Sequence, residues 1–226
     1  MTVLEIQRRL RALDFDPGPV DGAWGPRTRS ALKNFQRART LEPDGVPGPK
    51  SIAALGRDAE AGPYVPAEPL WLQEGRRRLG LREGDARLKA FLASDGRTLG
   101  DPARSPWCGD FVETCLRIAL PDEPQPANPY LARNWLRFGR ALPEPATGAV
   151  AVFWRGARTG SSGHVGFVVG ADRRFVSVLG GNQTDSVSIA RLARTRLLGC
   201  RWPSTIALTG LESPGETSGP VSTDEA

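Results

Sequence analysis

The spacing of apolar residues changes character partway along the chain. From the N-terminus, Val3, Ile6, Leu10 and Leu13 recur every three or four positions, the period of one helix face. The stretch FDPGPVDGAWGPRT is dense in turn formers, and RTRSALKNFQRAR after it sets Ala31, Leu32 and Phe35 on one side of a second helix. A second turn, PDGVPGPKS, leads into a short apolar segment with Ile52, Ala53 and Leu55. The two turns repeat one another. VDGAWGPRTRSAL and PDGVPGPKSIAAL both run Asp-Gly, then Gly-Pro, then a helix ending in Ala-Leu. Asp-Gly is turn chemistry, and proline at the start of a helix is entry chemistry. Residues 1–57 are therefore expected to form a small three-helix unit with internal two-fold repetition.

Residues 58–68, DAEAGPYVPAE, have the proline, glycine and acid content of a linker. Residues 204–226 close on the polar, aperiodic GLESPGETSGPVSTDEA, expected as a disordered tail. The segment between them, residues 69–203, begins helically with PLWLQEGRRRLGL, ARLKAFLAS, the stretch around Cys108 and PYLARNWLRFG. After LPEPATG it changes to short apolar runs: AVAVFW, HVGFVVG, RFVSVLG, VSIARL and RLLGCRW. Helices followed by strands joined through Gly/Asp-rich turns predict an α+β domain, one antiparallel sheet covered by helices.

The 226 residues are 39% hydrophobic, enough for real cores, and no run approaches the ~18 apolar residues of a membrane span. MTVLEIQRRLRAL places charges where an export signal would carry its apolar stretch, so the protein is expected to start in the cytoplasm. The net charge of +5 favours a polyanionic partner, but the basic residues are scattered among acids. A nucleic-acid binder concentrates them, so no nucleic-acid partner is expected.

Chemistry concentrates at two points. In SPWCGDFVETCLRIAL, Ser105 is placed to cap a helix, Pro106 to fix its entry, and Phe111, Val112, Cys115 and Ile118 to form its buried face. Cys108 then falls in the first turn, where unpaired N–H groups and the helix dipole favour a thiolate. Cys115 and Cys200 read as buried core thiols. Cys108 and Cys115 are seven residues apart, about 10.5 Å of helical rise, beyond the ~6.8 Å a disulfide tolerates. A zinc site of the three cysteines with His164 fails alike, since two sulfurs on one zinc lie within ~4.6 Å. His164 is the one histidine of the chain; it follows the polar loop RGARTGSSG and opens an apolar strand. A Cys–His pair needs a third group to orient the ring. The strand RFVSVLGGNQTD delivers Asn182, Gln183 and Asp185 at its exit; Asn182 is the expected partner, with Asp185 or Ser177 as substitutes. A helix N-terminus beside an imidazolium is expected to draw the thiol below its ordinary pKa, giving a thiolate–imidazolium pair at rest.

Two resemblances attach to these residues. EIQRRLRALDFDPGPVDGAWGPRTRSALKNFQ, and nearly all of residues 3–55, resembles the peptidoglycan-binding domain common in bacterial and phage cell-wall hydrolases. PWCGDFVETCL, ARNWLRFG, GHVGFVVG and VLGGNQ together resemble the CHAP and NlpC-type cysteine peptidases and amidases. That second resemblance implies a papain-like fold with Cys108 as nucleophile, His164 as base and Asn182 as the orienting residue. The chain departs from it in two places. Ala149 stands where many relatives carry Asp, and Gly180 and Gly181 where many carry Glu.

Together the resemblances imply an endolysin-like, cysteine-dependent peptidoglycan amidase or endopeptidase. Its partner would be bacterial peptidoglycan. The chain would act as a monomer, without cofactor, metal or membrane insertion, held in the host cytoplasm until release to the periplasm or wall. An injected antibacterial amidase, or an inert wall-binding or virion structural protein, are the alternatives.

Overall fold

The computed structural model describes residues 1–61, 68–97, 100–206, 208, 214 and 221. The chain divides into two units, Met1–Ala67 with Ser204–Gly210, and Glu68–Pro203 with Leu211–Ala226. The expected linker 58–68 lies mostly outside the described residues, and α3 of the first unit runs on to Ala61. Most of the expected tail lies outside them too. Of its described residues, Ile206 bridges Phe15 within the first unit and Val221 bridges Arg191 within the second.

In the first unit, α1 (Val3–Ala12), α2 (Pro26–Ala38) and α3 (Pro49–Ala61) enclose a core of Ile6, Leu10, Leu13, Phe15, Ala31, Leu32, Phe35, Ala54 and Leu55. Thr2 and Glu5 close a reciprocal capping box at the start of α1, and Pro26 opens α2. The third apolar segment is rotated from its expected register: Ala54 is buried and Ala53 exposed. The helical period carries Ala54 and Leu55 inward together with Ser51.

The internal repetition has a specific physical basis. Gln7, on α1, donates through its amide nitrogen to Asp21 Oδ1, the Ala23 carbonyl and Thr28 Oγ1, and its oxygen accepts the Gly22 N–H at 2.8 Å. Gln36, on α2, donates to Asp44 Oδ1, the Val46 carbonyl and Ser51 Oγ, and accepts the Gly45 N–H, also at 2.8 Å. Each Asp–Gly turn is thus pinned by one buried glutamine, whose amide also meets a hydroxyl on the helix that follows. Such an amide, only 1% exposed in both cases, must satisfy all its groups inside the protein. The same contacts act on the turn acids. The Val46 N–H and then the Gln36 amide hold the Asp44 carboxyl below the usual carboxylate range, and Ala23 and Gln7 do the same for Asp21. The first two helices also end alike. Asp14 (φ 63°) and Thr40 (φ 55°) take left-handed backbone, so that Phe15 N–H reaches Leu10 O and Leu41 N–H reaches Gln36 O.

The second unit is α+β. Helices α4 (Leu70–Arg76), α5 (Ala86–Leu92) and α6 (Cys108–Ala119) precede a six-stranded antiparallel sheet. Its strands are β1 (Arg140–Leu142), β2 (Val150–Trp154), β3 (Gly163–Ala171), β4 (Phe175–Gly180), β5 (Ser188–Ala193) and β6 (Leu197–Trp202), in the order β1-β6-β2-β3-β4-β5. Consecutive strands β2 to β5 pair as hairpins, and β6 returns to fill the space between β1 and β2. β1 carries no apolar run and was not expected; it exists because β6 offers it a free edge. PYLARNWLRFG, expected as a helix, supplies only the 3-10 segment Ala132–Arg137.

α6 also differs from its expected amphipathic form. Every residue from Cys108 to Leu116 is buried, Asp110, Glu113 and Thr114 included, while Ile118 is half-buried. A helix hidden on all sides can hold charge only if that charge is paired. Glu113 lies 2.8 Å from Arg117, one turn on, and Arg117 in turn approaches Asp95.

The glutamine pins give the first test. Replacing Gln36 by Ala strips the partner from the buried Gly45 N–H and should destabilise the first unit by about 2–3 kcal/mol. In hydrogen exchange on the full chain, the Gly45 amide should lose protection while amides of the β2–β3 pair keep theirs.

Candidate active site

Cys108 is the first residue of α6, with Trp107 rather than Ser105 at the cap position and no side chain capping the helix. Ser105 lies too far back along the chain, because Pro106 and Trp107 complete the approach. The first turn can form here only because residue 109 is glycine: a Cβ on Gly109 would stand 2.2 Å from the Pro129 carbonyl oxygen. The backbone at 129–130 therefore crosses directly over the helix entrance.

The thiol is 3% exposed. Burial pushes its pKa up; the backbone N–H of Val165, the charge of Arg155 and the N–H groups of Gly109 and Cys108 pull the other way without overcoming it. The thiol is thus above its ordinary range, opposite to the lowering expected from the helix dipole. The dipole acts in the anticipated direction, but desolvation is larger. Cys115, fully buried, is raised well above the ordinary thiol value, first by desolvation. Cys200 on β6 is pushed up to about 12 by the same cause. All three cysteines are free.

Val165 directly follows His164 on β3, so the contact with its N–H brings the thiol of α6 to the residue adjoining the imidazole. His164 is the second residue of β3, lies opposite Phe153 of β2, and is 2% exposed. The loop leading to it is held from outside the sheet. Arg133 donates to the carbonyls of Ser162, Arg158 and Ala157 at 2.7–2.9 Å. One guanidinium thereby ties the β2–β3 loop to the 3-10 segment and limits how far the strand carrying His164 can shift.

The residue that meets the second ring nitrogen is Gln183, whose Oε1 lies 3.1 Å from His164 Nε2. The sequence pointed to Asn182, one position earlier. Asn182 sits at φ 55° in the turn after β4 and is only half-buried, whereas Gln183 is 5% exposed. A left-handed residue at 182 reverses the chain, so the next side chain is the one returned toward the sheet. Of the two substitutes, Asp185 is exposed in the same turn. Ser177 pairs with Gly170, six residues along β3 from His164, roughly 20 Å at strand rise. Arg155 is a site residue that sequence pattern did not single out. Its place just past β2 becomes informative only once β2 and β3 are paired.

Among the described residues no cluster of three or more His, Cys, Asp or Glu side chains could hold a metal ion, and no helix is long and apolar enough to cross a membrane. What the geometry offers is a dry thiol at a helix start, backbone N–H groups around its sulfur, and an imidazole engaged on one nitrogen by a neutral amide.

Comparison with known proteins bears on the first unit. Residues 2–55 match the family described as "Putative peptidoglycan binding domain". The chain is 42% identical over 53 residues to the N-acetylmuramoyl-L-alanine amidase CwlM of Mycobacterium tuberculosis, covering 24% of this chain and 13% of the amidase. It is 40% identical over 55 residues to an uncharacterized protein in the bpoA1 3' region of Kitasatospora aureofaciens, covering 24% of this chain and 43% of that one. The chain thus spans less than half the length of either relative. No solved structure matches it. The N-terminal unit thus matches a peptidoglycan-binding domain over residues 2–55.

Two pH dependences follow from the thiols. Because the Cys108 pKa is raised, its alkylation by iodoacetamide should be slower at pH 7 than that of a free cysteine, and should climb with pH beyond ~8.5 without levelling. Mass spectrometry of native protein across pH 6–10 reads this directly. Cys200 has a folded-state pKa above its unfolded value, so its stabilising contribution is complete below ~8.5 and is lost as pH rises toward the folded value, by about 1.4 kcal/mol per pH unit. Denaturant midpoints between pH 9 and 11 should therefore fall less steeply for Cys200→Ala than for wild type.

Proposed function

We propose that the protein is a peptidoglycan hydrolase whose papain-like second unit cuts an amide bond of the stem peptide by a Cys108–His164 mechanism, while the first unit holds it on the polymer. The observation that carries this reading is the joint placement of Cys108 at the start of α6, its thiol at the Val165 N–H, and His164 next in the chain. The peptidoglycan-binding match over residues 2–55 supports the choice of polymer.

The chemistry starts from a protonated thiol. With the thiol raised by burial, Cys108 holds its proton at neutral pH, and His164 acts as general base during attack. The S–H bond breaks as Nδ1 takes the proton, the sulfur–carbon bond forms, and the carbonyl pair moves to oxygen. The Cys108 N–H at the helix start is placed to stabilise that oxyanion. The imidazolium then returns its proton to the departing amine, leaving a thioester that water hydrolyses.

A 3% exposed thiol with a raised pKa also favours a second reading, an inert wall-binding protein. One experiment separates the two. Full chain is incubated with purified insoluble peptidoglycan, and released fragments are identified by mass spectrometry, whose new termini name the bond cut. Wild type should release fragments. Cys108→Ser should bind the polymer equally and release none, whereas Cys115→Ala should lose about 1–2 kcal/mol of stability and keep activity per folded molecule. Binding without fragments by wild type would establish the inert reading instead.

A further inference from the structure

Positive charge gathers where the sheet delivers His164. Between Glu123 and Asp172 the sequence holds one acid, Glu144, against five arginines, and Glu144 is paired with Arg194. Three arginines belong to the β2–β3 loop or grip its ends. Arg133 holds the carbonyls of Ser162, Arg158 and Ala157. Arg196, just before β6, donates to the Trp154 carbonyl at 3.1 Å and lies over the Trp154 ring at 5.2 Å. Arg155 follows Trp154, and its backbone N–H donates to the Ser162 carbonyl at 3.3 Å. Residue 155 is thus held by the same hairpin whose Phe153–His164 pair seats the imidazole.

Arg155 is half-buried, and its positive charge reaches the Cys108 sulfur. Burial favours the protonated thiol there, so the thiol is not the anion this charge is set to meet. In a dry site a cation acts more strongly than in water, and it draws in an anionic substrate group. A stem peptide can supply one. Glutamate joined through its side-chain carboxyl keeps an ionised α-carboxylate, which amidation turns into a neutral carboxamide.

Resting on the Cys108–His164 reading, we propose that Arg155 is a specificity-determining residue of the site, binding a carboxylate that the substrate carries beside the scissile amide and so selecting the acidic over the amidated stem peptide. The planar guanidinium fork suits two carboxylate oxygens, whereas a carboxamide offers one oxygen and sets its NH2 against a donor. Charge and donor–acceptor match therefore act together.

The first test needs no turnover. Iodoacetate and iodoacetamide differ in charge but hardly in size, and both alkylate the same thiolate. The ratio of their rates on Cys108, divided by the ratio on free cysteine, reads the field at the sulfur, and any change in thiol pKa cancels. Mass spectrometry of the native full chain should show that ratio raised roughly 3- to 10-fold in favour of iodoacetate. Arg155→Met should return it to the free-cysteine value, and Arg155→Lys should keep most of it. Arg158→Met, at an exposed position of the same loop, should leave it as in wild type. The second test titrates full-length Cys108→Ser calorimetrically with a synthetic alanyl-γ-glutamyl-lysine peptide. The acid form should bind about 10-fold more tightly than its α-carboxamide. Adding Arg155→Met should make the two bind alike, and adding Arg155→Lys, which lacks the fork, should keep part of the preference. The proposal is overturned if Arg155→Met leaves the alkylation ratio unchanged in a folded protein, if Arg158→Met lowers it as much, or if the carboxamide binds as well as the acid while Arg155 is present. Neither readout uses catalysis. A wild type that releases no wall fragments would therefore sink the hydrolase reading, with the carboxylate site still decided by rates and affinities.

Discussion

The second unit depends on backbone crowding at the entrance of α6. A Cβ on Gly109 would reach 2.2 Å from Pro129 O, and one on Gly181 would reach 2.5 Å from the Trp107 ring and 2.8 Å from Phe111 Cβ. Three segments far apart in the chain, at 107–111, 129–130 and 181, meet at van der Waals limits. Packing at that density excludes water and fixes positions to fractions of an ångström. The helix start, the strand carrying His164 and the turn carrying Gln183 are held in register by this junction, with Trp107 almost wholly buried between them.

Dryness of that kind has an electrostatic consequence that organises the site. A thiolate there loses hydration, and the surrounding N–H groups and Arg155 return only part of it. Burial favours the protonated form of the Cys108 thiol, and the group facing His164 is a neutral amide. A carboxylate beside His164 would itself be a buried charge in need of a partner, of the sort Glu113 finds in Arg117. Gln183 meets the ring without bringing a charge into the site.

The first unit meets a different constraint. A domain of about 60 residues buries too little apolar surface for a wide stability margin. Here nine buried apolar residues are supplemented by two glutamines, each satisfying a whole turn from inside the core. Polar burial of this type is stabilising only when every donor and acceptor is met, and it sets the turn geometry more sharply than apolar packing does. The Asp-Gly loops are thereby held as fixed surfaces on a unit matched to peptidoglycan binding.

Much of this was legible from local pattern. Helical spacing gave Ile6, Leu10, Leu32 and Phe35 as core; the repeated Asp-Gly and Gly-Pro gave the two-fold unit; and apolar runs bounded by glycine gave β2 to β6. These features are written in residues close together in the chain, where propensity and period act. What only the tertiary structure decided involves distant partners. β1 forms because β6 leaves an edge to pair, α6 is buried on every side because sheet and helices close over it, and Gln7 and Gln36 are recognised as pins only when the turns they hold are seen. The choice of Gln183 over Asn182 is of the same kind. A single left-handed residue exchanges which neighbour faces inward, and no spacing rule carries that sign. The thiol pKa belongs there too: the helix dipole can be read from sequence, whereas the desolvation that outweighs it is a property of everything packed around the sulfur.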